Sequence, residues 1–468
     1  MLVDYDLVIL GGTLAGRQAA IAATSQGARV ALVEPLADGV ARSLQADYLR
    51  QVSAWQQWSQ GAGPADWSHW QQWTQAVSQQ QAELRSPQVL LAQGVDYIQA
   101  SGQFCRSPRL AFETQQRFLT ARAYLLAADF FTPLPPISGL AERSPYTPET
   151  LYKLPAVPAR IGILGGTPAA LAIAQLMARL GAQVTICLEP AWLHRQAVAV
   201  RQWLVAQLEA EGIQLECLAE VDQVTADSSA QARHQIKLSQ AALAVDELVV
   251  ATAPSLRSFD LGLDIVGVKQ DGFGPVVGDR LQTPHPRLFA LGTALGRQEM
   301  RAIAPPEIDL ALKNALLLPR FELNRRTLVW RVSTTPEVAG VGITPAQAQA
   351  WYGEDAWVCS QPLYANGQAQ LLNRASGFCQ IVAHRSGEIL GAQIVGASAS
   401  ELIQPIAQAI AAKQGIQTVA RSPYLPHSLS AALVETAQQW QTRRLAVGFW
   451  RRDWLENWFN WRRSRVRL

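Results

Sequence analysis

Cysteine is scarce in this chain: its 468 residues hold five cysteines, which stand far apart. No two lie within a C-x-x-C or C-x-x-x-x-C window, so the sequence predicts neither a metal site nor a local redox disulfide. Scattered cysteines suit a reducing compartment, where they pack as small apolar side chains. The five are Cys105, Cys187, Cys217, Cys359 and Cys379.

Long apolar runs are missing as well. No stretch reaches the roughly 18 uncharged apolar residues that a membrane-spanning helix needs. A predicted strand begins at Asp6–Leu7, which leaves no room for a signal peptide. The sequence therefore predicts a cytoplasmic protein that spans no membrane.

The net charge is small, at +3, but it is unevenly placed. Residues 441–468 carry eight arginines against Asp453 and Glu456, a net charge of +6, so the rest of the chain carries −3. A mildly acidic body argues against nucleic acid as a partner, and a basic tail indicates a partner of its own. With 49% hydrophobic residues the chain can bury full cores, and its length predicts two to four domains.

The N-terminal stretch YDLVILGGTLAGRQAAIAATSQGARVALVEP predicts a strand, a tight turn, a helix from Gly16 to Ser25 and a second strand. This is the βαβ unit that binds dinucleotides: Gly11 allows the turn, Gly16 lets the helix pack closely, and the helix N-terminus faces a pyrophosphate. Glu34 ends the second strand, where a carboxylate accepts ribose hydroxyls. Thr13 replaces the middle glycine and crowds the phosphate. The predicted cofactor-binding residues are Gly11, Gly12, Thr13, Leu14, Ala15, Gly16 and Glu34; a βαβ unit without a nucleotide is the alternative.

A second stretch, PARIGILGGTPAALAIAQLMARLGAQVTICLEP, repeats the plan with more departures. Thr167 replaces the middle glycine, Ala170 replaces the third, and Pro168 removes an amide donor. Leu188 stands at the expected acidic position, with Glu189 one residue later. Gly165, Gly166 and Thr167 are the predicted binding residues. Binding of NAD, binding of NADP and an empty turn all stay open.

Four later segments complete a pattern. They are LLAADFFTPLPPISGL (125–140), ELVVATAPSLRS (247–258), TPHPRLFALGTALG (283–296), and the C-terminal pair VSTTPEVAGVGIT (332–344) and GFCQIVAHRSGEILGAQIVGASASELIQPIAQAI (377–410). With the two βαβ units, this order resembles the class I pyridine nucleotide–disulfide oxidoreductases, the family of dihydrolipoamide dehydrogenase and mercuric reductase. The likeness covers the chain except its tail.

The resemblance implies an α/β fold with two Rossmann-like domains, for FAD and NAD(P), and a C-terminal α+β dimerisation domain that forms a homodimer. Gly292 and Thr293 join the predicted FAD residues, although Thr293 replaces an aspartate of the family and Asp129 replaces a glycine. The implied boundaries are 1–155 and 263–325 for the two parts of the FAD domain, 156–262 for the NAD(P) domain, 326–441 for the dimerisation domain and 442–468 for the tail.

The resemblance fails where the family carries its disulfide chemistry. The segment after the first βαβ unit reads LADGVARSLQADYLRQ (36–51), with neither the cysteine pair nor the lysine of the family. Ala172 stands in place of the glutamate that pairs with that lysine. Near the C-terminus, Pro426 and Ala431 replace the catalytic histidine and its glutamate, and His427 is either a shifted base or a turn residue. A disulfide relay needs a thiolate, so we predict none and name no catalytic residue.

Tryptophan is concentrated in two regions. Five lie in AWQQWSQGAGPADWSHWQQW (54–73), which fits either a packed helical hairpin or an apolar, quinone-sized pocket. The tail segment LAVGFWRRDWLENWFNWRRSRVRL (445–468) predicts a helix with four tryptophans within an arc of roughly 80°. Tryptophan flanked by arginine favours the anionic surface on the cytoplasmic face of a membrane. Docking on a protein partner or on the protein's own body is the alternative. The four are Trp450, Trp454, Trp458 and Trp461.

These observations predict an FAD-dependent oxidoreductase that takes hydride from NAD(P)H and passes electrons to an acceptor that is not a disulfide. A quinone or a redox protein near a membrane suits the tryptophan-rich regions. The cofactor would carry the chemistry and the protein would position it. The alternative is a catalytically silent binding or scaffold protein of the same fold.

Overall fold

The computed structural model describes residues 3–35, 39–55, 66–106, 110–127, 130–188, 196–217, 221–226, 233–238, 242–256, 261–271, 274–291, 305–447 and 449–465. Their contacts divide into two compact units. The first consists of Met1–Leu193 and Val205–Asn324, and the second of His194–Leu204 and Arg325–Leu468.

The strands are short, and most of them belong to the first unit. They are β1 (Tyr5–Leu10), β2 (Val30–Glu34), β3 (Asp96–Gln99), β4 (Gly102–Cys105), β5 (Ala111–Thr114), β6 (Phe118–Leu119), β7 (Ala121–Leu126), β8 (Phe130–Phe131), β9 (Arg160–Leu164), β10 (Gln183–Leu188), β11 (Gln214–Cys217), β12 (Val221–Ala226), β13 (His234–Leu238), β14 (Ala242–Val245), β15 (Glu247–Val250), β16 (Ser255–Leu256), β17 (Gln270–Asp271), β18 (Gly274–Pro275), β19 (Leu288–Ala290), β20 (Val329–Val332), β21 (Glu337–Gly342), β22 (Ala356–Pro362), β23 (Phe378–His384) and β24 (Ile389–Gly396).

The α-helices lie between and after these strands. They are α1 (Leu14–Ser25), α2 (Gly39–Trp55), α3 (Trp67–Glu83), α4 (Pro87–Ala92), α5 (Pro168–Arg179), α6 (Val198–Ala210), α7 (Pro305–Leu312), α8 (Pro345–Tyr352), α9 (Gly367–Leu371), α10 (Ala399–Leu402), α11 (Gln404–Ala411), α12 (Ile416–Ala420), α13 (Ala431–Val447) and α14 (Phe449–Ser464).

The first unit contains a parallel five-stranded sheet in the order β19-β7-β1-β2-β3. Alternate side chains of β1 enter two cores, because successive residues of a strand point to opposite faces. Leu7 and Ile9 pack with helix α1, whereas Val8 and Leu10 pack with Phe104 and its neighbours. Burial on both faces explains why the sequence of β1 is continuously apolar.

A second parallel sheet of the first unit has the order β11-β10-β9-β15. Helix α5 follows β9 and is buried along almost its whole length. The antiparallel strands β12, β13 and β14 share a core with this sheet through Leu164, Ile236 and Leu248. The two predicted βαβ units are therefore present, each with its glycine turn between a central strand and a helix.

Helices α2 and α3 pack against each other, and α2 also packs against α5. Trp67 and Trp70 of α3 are buried, and the Trp67 Nε1 donates to the Leu154 carbonyl oxygen at 2.7 Å. The Gln71 amide donates to the same carbonyl at 2.9 Å. Both tryptophans are thus buried side chains of α3; Trp58 and the GAGP connection lie outside the described residues.

The second unit is built on an antiparallel sheet in the order β20-β21-β24-β23-β22. Trp440 of α13 is 1% exposed, lies in the core with Trp357, and donates from Nε1 to the His384 carbonyl oxygen at 3.2 Å. This matches the predicted α+β character of the C-terminal domain.

Helix α14 follows α13 and presents three tryptophans to solvent, while the side chain of Trp450 lies outside the described residues. Trp454, Trp458 and Trp461 are 62%, 41% and 44% exposed, and their rings stack in sequence with centroids 5.8 and 4.9 Å apart. The Arg465 guanidinium lies 4.3 Å from the Trp461 ring centroid. Within the second unit these three side chains are therefore exposed rather than docked. Among the described residues, no helix has the length and apolarity needed to cross a membrane.

Candidate functional site

Both glycine turns depend on backbone shapes that a side chain would disturb. Gly11 has φ 116° and Gly165 has φ 127°, in the region that favours glycine. A Cβ on Gly16 would lie 2.3 Å from the Gly11 carbonyl oxygen, and one on Gly165 would lie 2.3 Å from the Ala251 carbonyl oxygen. The predicted roles of these glycines in turning the chain and packing the helix agree with this geometry.

The two threonines at the middle-glycine positions are helix N-caps. The Thr13 hydroxyl accepts from the Gly16 amide at 3.2 Å and donates to the Ala127 carbonyl oxygen at 2.7 Å. The Thr167 hydroxyl likewise accepts from the Ala170 amide at 3.2 Å and donates to the Ala251 carbonyl oxygen at 2.8 Å. Helix α1 consequently begins at Leu14 rather than at Gly16, because Thr13 satisfies one of its first amides.

The two turns differ in how much of their backbone is accessible. Residues 11–14 of the first turn are half-buried, whereas residues 165–168 of the second turn are buried. Pro168 is also the first residue of α5, so one of the amides at that helix N-terminus is missing. Equal sequence patterns therefore produce one accessible turn and one enclosed turn.

Glu34 lies at the end of β2, as predicted, but it is already held by protein donors. Its Oε1 accepts from the Arg17 Nη2 at 2.6 Å and from the Tyr97 hydroxyl at 2.6 Å, and the residue is 2% exposed. Its Oε2 lies only 1.0 Å from the place that a Cβ on Gly12 would occupy. Gly12 is thus required for Glu34 to lie against the turn.

Arg17 and Tyr97 are two residues of this site that the sequence patterns do not identify. Arg17 is 1% exposed, and its Nε also donates to the Gly12 carbonyl oxygen at 3.1 Å while Nη1 donates to the Arg85 carbonyl oxygen at 2.7 Å. The available signal is an arginine within an otherwise small-residue helix directly after Gly16, since a fully buried arginine is rare unless it is paired.

The first turn fits a dinucleotide. Its backbone is accessible, the first amides of α1 lack intrahelical partners as in any helix, and a carboxylate lies beside Gly12. Gly11, Gly12, Thr13, Leu14, Ala15, Gly16 and Glu34 would hold FAD there, which supplies hydride and electron transfer when bound. Gly292, Thr293 and Asp129 lie outside the described residues.

The second turn fits a dinucleotide less well. Gly165, Gly166 and Thr167 are buried, unlike residues 11–14 of the first turn. Access of a pyrophosphate to this backbone requires the residues around the turn to move. Glu189 lies outside the described residues, and β10 ends at Leu188.

The thiols that the structure describes are poorly suited to disulfide exchange. Burial raises the pKa of Cys187 and of Cys359 to about 11 and that of Cys379 to about 12, and burial with Glu113 nearby raises the pKa of Cys105. A protonated thiol is a weak nucleophile. Helix α2, which follows the first βαβ unit as the cysteine-bearing segment of the family does, packs against α5 and has no cysteine.

The C-terminal segment does not reproduce the histidine–glutamate pair of the family. His427 is exposed and has φ 59°, and Ala431, at the glutamate position, is the buried first residue of α13. This geometry favours the interpretation of His427 as a turn residue. Within the described part of the chain, no group of three or more His, Cys, Asp or Glu side chains could hold a metal ion.

Two family matches cover most of the sequence. Residues 5–307 match the pyridine nucleotide-disulphide oxidoreductase family, and residues 330–437 match its dimerisation domain. Dihydrolipoyl dehydrogenase from Cupriavidus necator is 31% identical over 64% of this chain and 63% of its own length. The Synechocystis sp. dihydrolipoyl dehydrogenase is 26% identical over 92% and 98%, and mercuric reductase from Staphylococcus aureus is 24% identical over 90% and 80%.

Solved structures show the same fold. The HOCl-induced flavoprotein disulfide reductase RclA from Escherichia coli matches with a TM-score of 0.80 at 21% identity, over 94% of this chain and 100% of that one. LpdA from Mycobacterium tuberculosis matches with a TM-score of 0.79 at 22% identity, over 92% and 99%. The predicted α/β architecture with a dimerisation domain is confirmed, and FAD and NAD(P) are the cofactors of the family. The chain belongs to the pyridine nucleotide–disulphide oxidoreductase family.

Proposed function

We propose that this protein is an FAD-dependent NAD(P)H oxidoreductase that passes electrons to an acceptor other than a disulfide. The observation that carries the proposal is helix α2, which follows the first βαβ unit, packs beside α5 and contains no cysteine. The accessible first turn supports retention of FAD. A quinone or a redox protein is the acceptor class that needs no protein thiol.

The test is an anaerobic absorption spectrum of the purified protein, recorded before and after NADPH and then NADH. We expect flavin bands that bleach with one nucleotide. The bleached protein is then mixed with a soluble quinone or, separately, with a small disulfide such as oxidised lipoamide. Return of the bands with the quinone alone supports the proposal, and return with the disulfide overturns it.

A second candidate function is a catalytically silent flavoprotein of the same fold. The specific observation that favours it is the buried second turn, whose backbone is closed to a pyridine nucleotide in this conformation. Flavin bands that neither nucleotide bleaches would support this candidate and reject direct reduction by NAD(P)H.

We further propose that the tail, residues 445–468, attaches the protein to an anionic membrane surface. Residues 445–468 carry six arginines against Asp453 and Glu456, and their net charge of +4 complements anionic headgroups. The exposed tryptophan rings of α14 are of the kind that settles at the headgroup level. Each arginine near such a surface contributes about 1 kcal/mol, or about fivefold in affinity. Assembly as a homodimer, which the dimerisation domain supports, would present two tails.

Sedimentation with lipid vesicles tests whether the tail binds an anionic membrane surface rather than a protein partner. We expect binding to phosphatidylglycerol vesicles, no binding to phosphatidylcholine vesicles, and weaker binding as salt is raised. Equal binding to both vesicle types would reject the need for an anionic surface, and binding to neither would reject the membrane and leave a protein partner.

Two matched sets of variants test whether the charge must lie in the tail. Changing four tail arginines to glutamine should abolish binding to the anionic vesicles, whereas changing four exposed arginines elsewhere in the chain should leave it unchanged. Equal losses from the two sets would show that net charge alone drives the binding. The tail set is Arg451, Arg452, Arg462 and Arg463, and the control set is Arg122, Arg280, Arg320 and Arg385.

A further inference from the structure

We infer that Arg17 is a positioning residue of the FAD site: it holds Glu34 against Gly12 in the orientation that can meet the ribose of the cofactor. The inference rests on FAD binding at the first turn, which is part of the proposed function. It does not depend on hydride transfer or on the identity of the acceptor.

The guanidinium of Arg17 joins three separate segments of the first unit. Nε donates to the turn at Gly12, Nη2 to the end of β2 at Glu34, and Nη1 to the carbonyl oxygen of Arg85, after the end of α3. The planar arrangement of donors in arginine suits such a three-way contact, and a lysine could not reproduce it. Arg17 therefore fixes the distance between the turn and the carboxylate.

The charge of Arg17 is as important as its shape. A carboxylate that is 2% exposed is costly to bury unless a cation and hydrogen-bond donors compensate it. Arg17 and Tyr97 supply both, each donating to Oε1 at 2.6 Å. Oε2 lies on the side of Gly12, where the turn would meet a nucleotide. These two donors thus hold the carboxylate beside the turn.

Among its described residues, the second βαβ unit has no comparable arginine–carboxylate pair at its turn. The residue that corresponds to Arg17 there is Leu171, which follows Ala170 and is buried in the core. An arginine at this position is therefore not a requirement of the βαβ fold. Its presence beside the accessible turn points to a role toward the ligand.

The experiment is titration of apoprotein with FAD, followed by quenching of flavin fluorescence, for wild type and variants. We expect Arg17→Met to raise the Kd by about 10-fold to 100-fold, because Glu34 loses its orientation. Arg17→Lys should recover part of the loss, and Tyr97→Phe, which removes one donor to the same oxygen, should raise the Kd a few-fold. Arg160→Met, which breaks the ion pair with Asp246 in the second βαβ unit, is the matched control.

A double-mutant cycle separates positioning from a general loss of stability. If Arg17 acts through Glu34, Arg17→Met combined with Glu34→Gln should bind FAD no more weakly than Glu34→Gln alone. Additive losses, or a wild-type Kd for Arg17→Met, would overturn the inference. Thermal unfolding of each apoprotein is measured in parallel; should Arg17→Met not fold, Arg17→Lys and Tyr97→Phe decide the outcome.

The two proposals fail in different ways. A wild-type protein that binds FAD but is not bleached by either nucleotide rejects the proposed hydride transfer and leaves the role of Arg17 to be decided by the titrations. A wild-type apoprotein that takes up no FAD overturns the inference about Arg17 itself.

Discussion

The two glycine turns of this protein share a sequence pattern but not an environment. Each has a glycine with positive φ, a threonine N-cap and a hydroxyl bonded to the carbonyl oxygen of a neighbouring strand end. The first turn is accessible and has Glu34 beside it, whereas the second is enclosed. The shared features all concern how a strand joins a helix. The features that differ concern the ligand.

This contrast shows what the pattern G-G-T encodes. The hydroxyls of Thr13 and Thr167 each accept one hydrogen bond and donate another within the protein. They therefore stabilise the turn whether or not a nucleotide is present. The ability to bind a nucleotide then depends on the access to the turn and on the group at the end of the second strand. Both properties favour nucleotide binding at the first turn over the second.

The largest expected effect comes from changing the residue at the third glycine position of each motif, which is Gly16 in the first and Ala170 in the second. Gly16→Ala should abolish FAD binding and destabilise the protein by about 3 kcal/mol, since the new Cβ would lie 2.3 Å from the Gly11 carbonyl oxygen. The reverse change, Ala170→Gly, should cost about 1 to 2 kcal/mol, through lower helix propensity and the loss of a buried methyl group. Urea unfolding and FAD titration measure both effects. Similar behaviour of the two variants would show that the turns are equivalent after all.

A second comparison concerns the reactivity of two cysteine thiols, those of Cys105 and Cys187. Burial raises the pKa of Cys187, in β10, to about 11 from an ordinary 9.0, so its thiolate fraction at pH 8 should be about 100-fold below that of a free thiol. Cys105 is half-buried, and we expect it to be alkylated first. Mass spectrometry after timed labelling gives the order, with labelling in urea as the control. Rapid labelling of Cys187 in the native protein would indicate that the second βαβ unit opens to solvent.

Hydrogen exchange should distinguish the turns directly. Added FAD should slow the exchange of the amides in residues 12–16 by about tenfold or more, because the proposed FAD site lies at these amides. NADPH should protect the amides of residues 165–171 if the protein is the proposed oxidoreductase, and should leave them unchanged if the second turn stays enclosed. Peptides from α13, in the second unit, serve as the reference. Protection of residues 165–171 by NADPH would show that the second turn is accessible to a nucleotide, and would favour the active oxidoreductase over the silent flavoprotein.

The sequence is sufficient for the fold and for the position of the first glycine turn. The continuous apolar strands, the turn glycines and Glu34 are local signals, and each lies in the predicted element. Burial of residues 165–168 is not predictable, because it depends on how distant parts of the chain pack around that turn. Arg17 and Tyr97 escape sequence reasoning for the same reason: their contacts with Glu34 join segments 17 and 63 residues away from it.

The smallest expected effect tests whether the shared threonines are structural in both halves. Thr13→Ala and Thr167→Ala each remove an N-cap, which costs about 1 kcal/mol of stability, and the two losses should be equal because the bond lengths are nearly the same. Thr→Ser variants keep the hydroxyl and should recover most of the stability. In the FAD titration only Thr13→Ala should change the Kd, by a few-fold, since the proposed FAD site lies at the first turn. If Thr167→Ala weakened flavin binding more than Thr13→Ala did, the second turn would be supporting the FAD site. The conclusion that the first turn binds the ligand while the second is only structural would then be wrong.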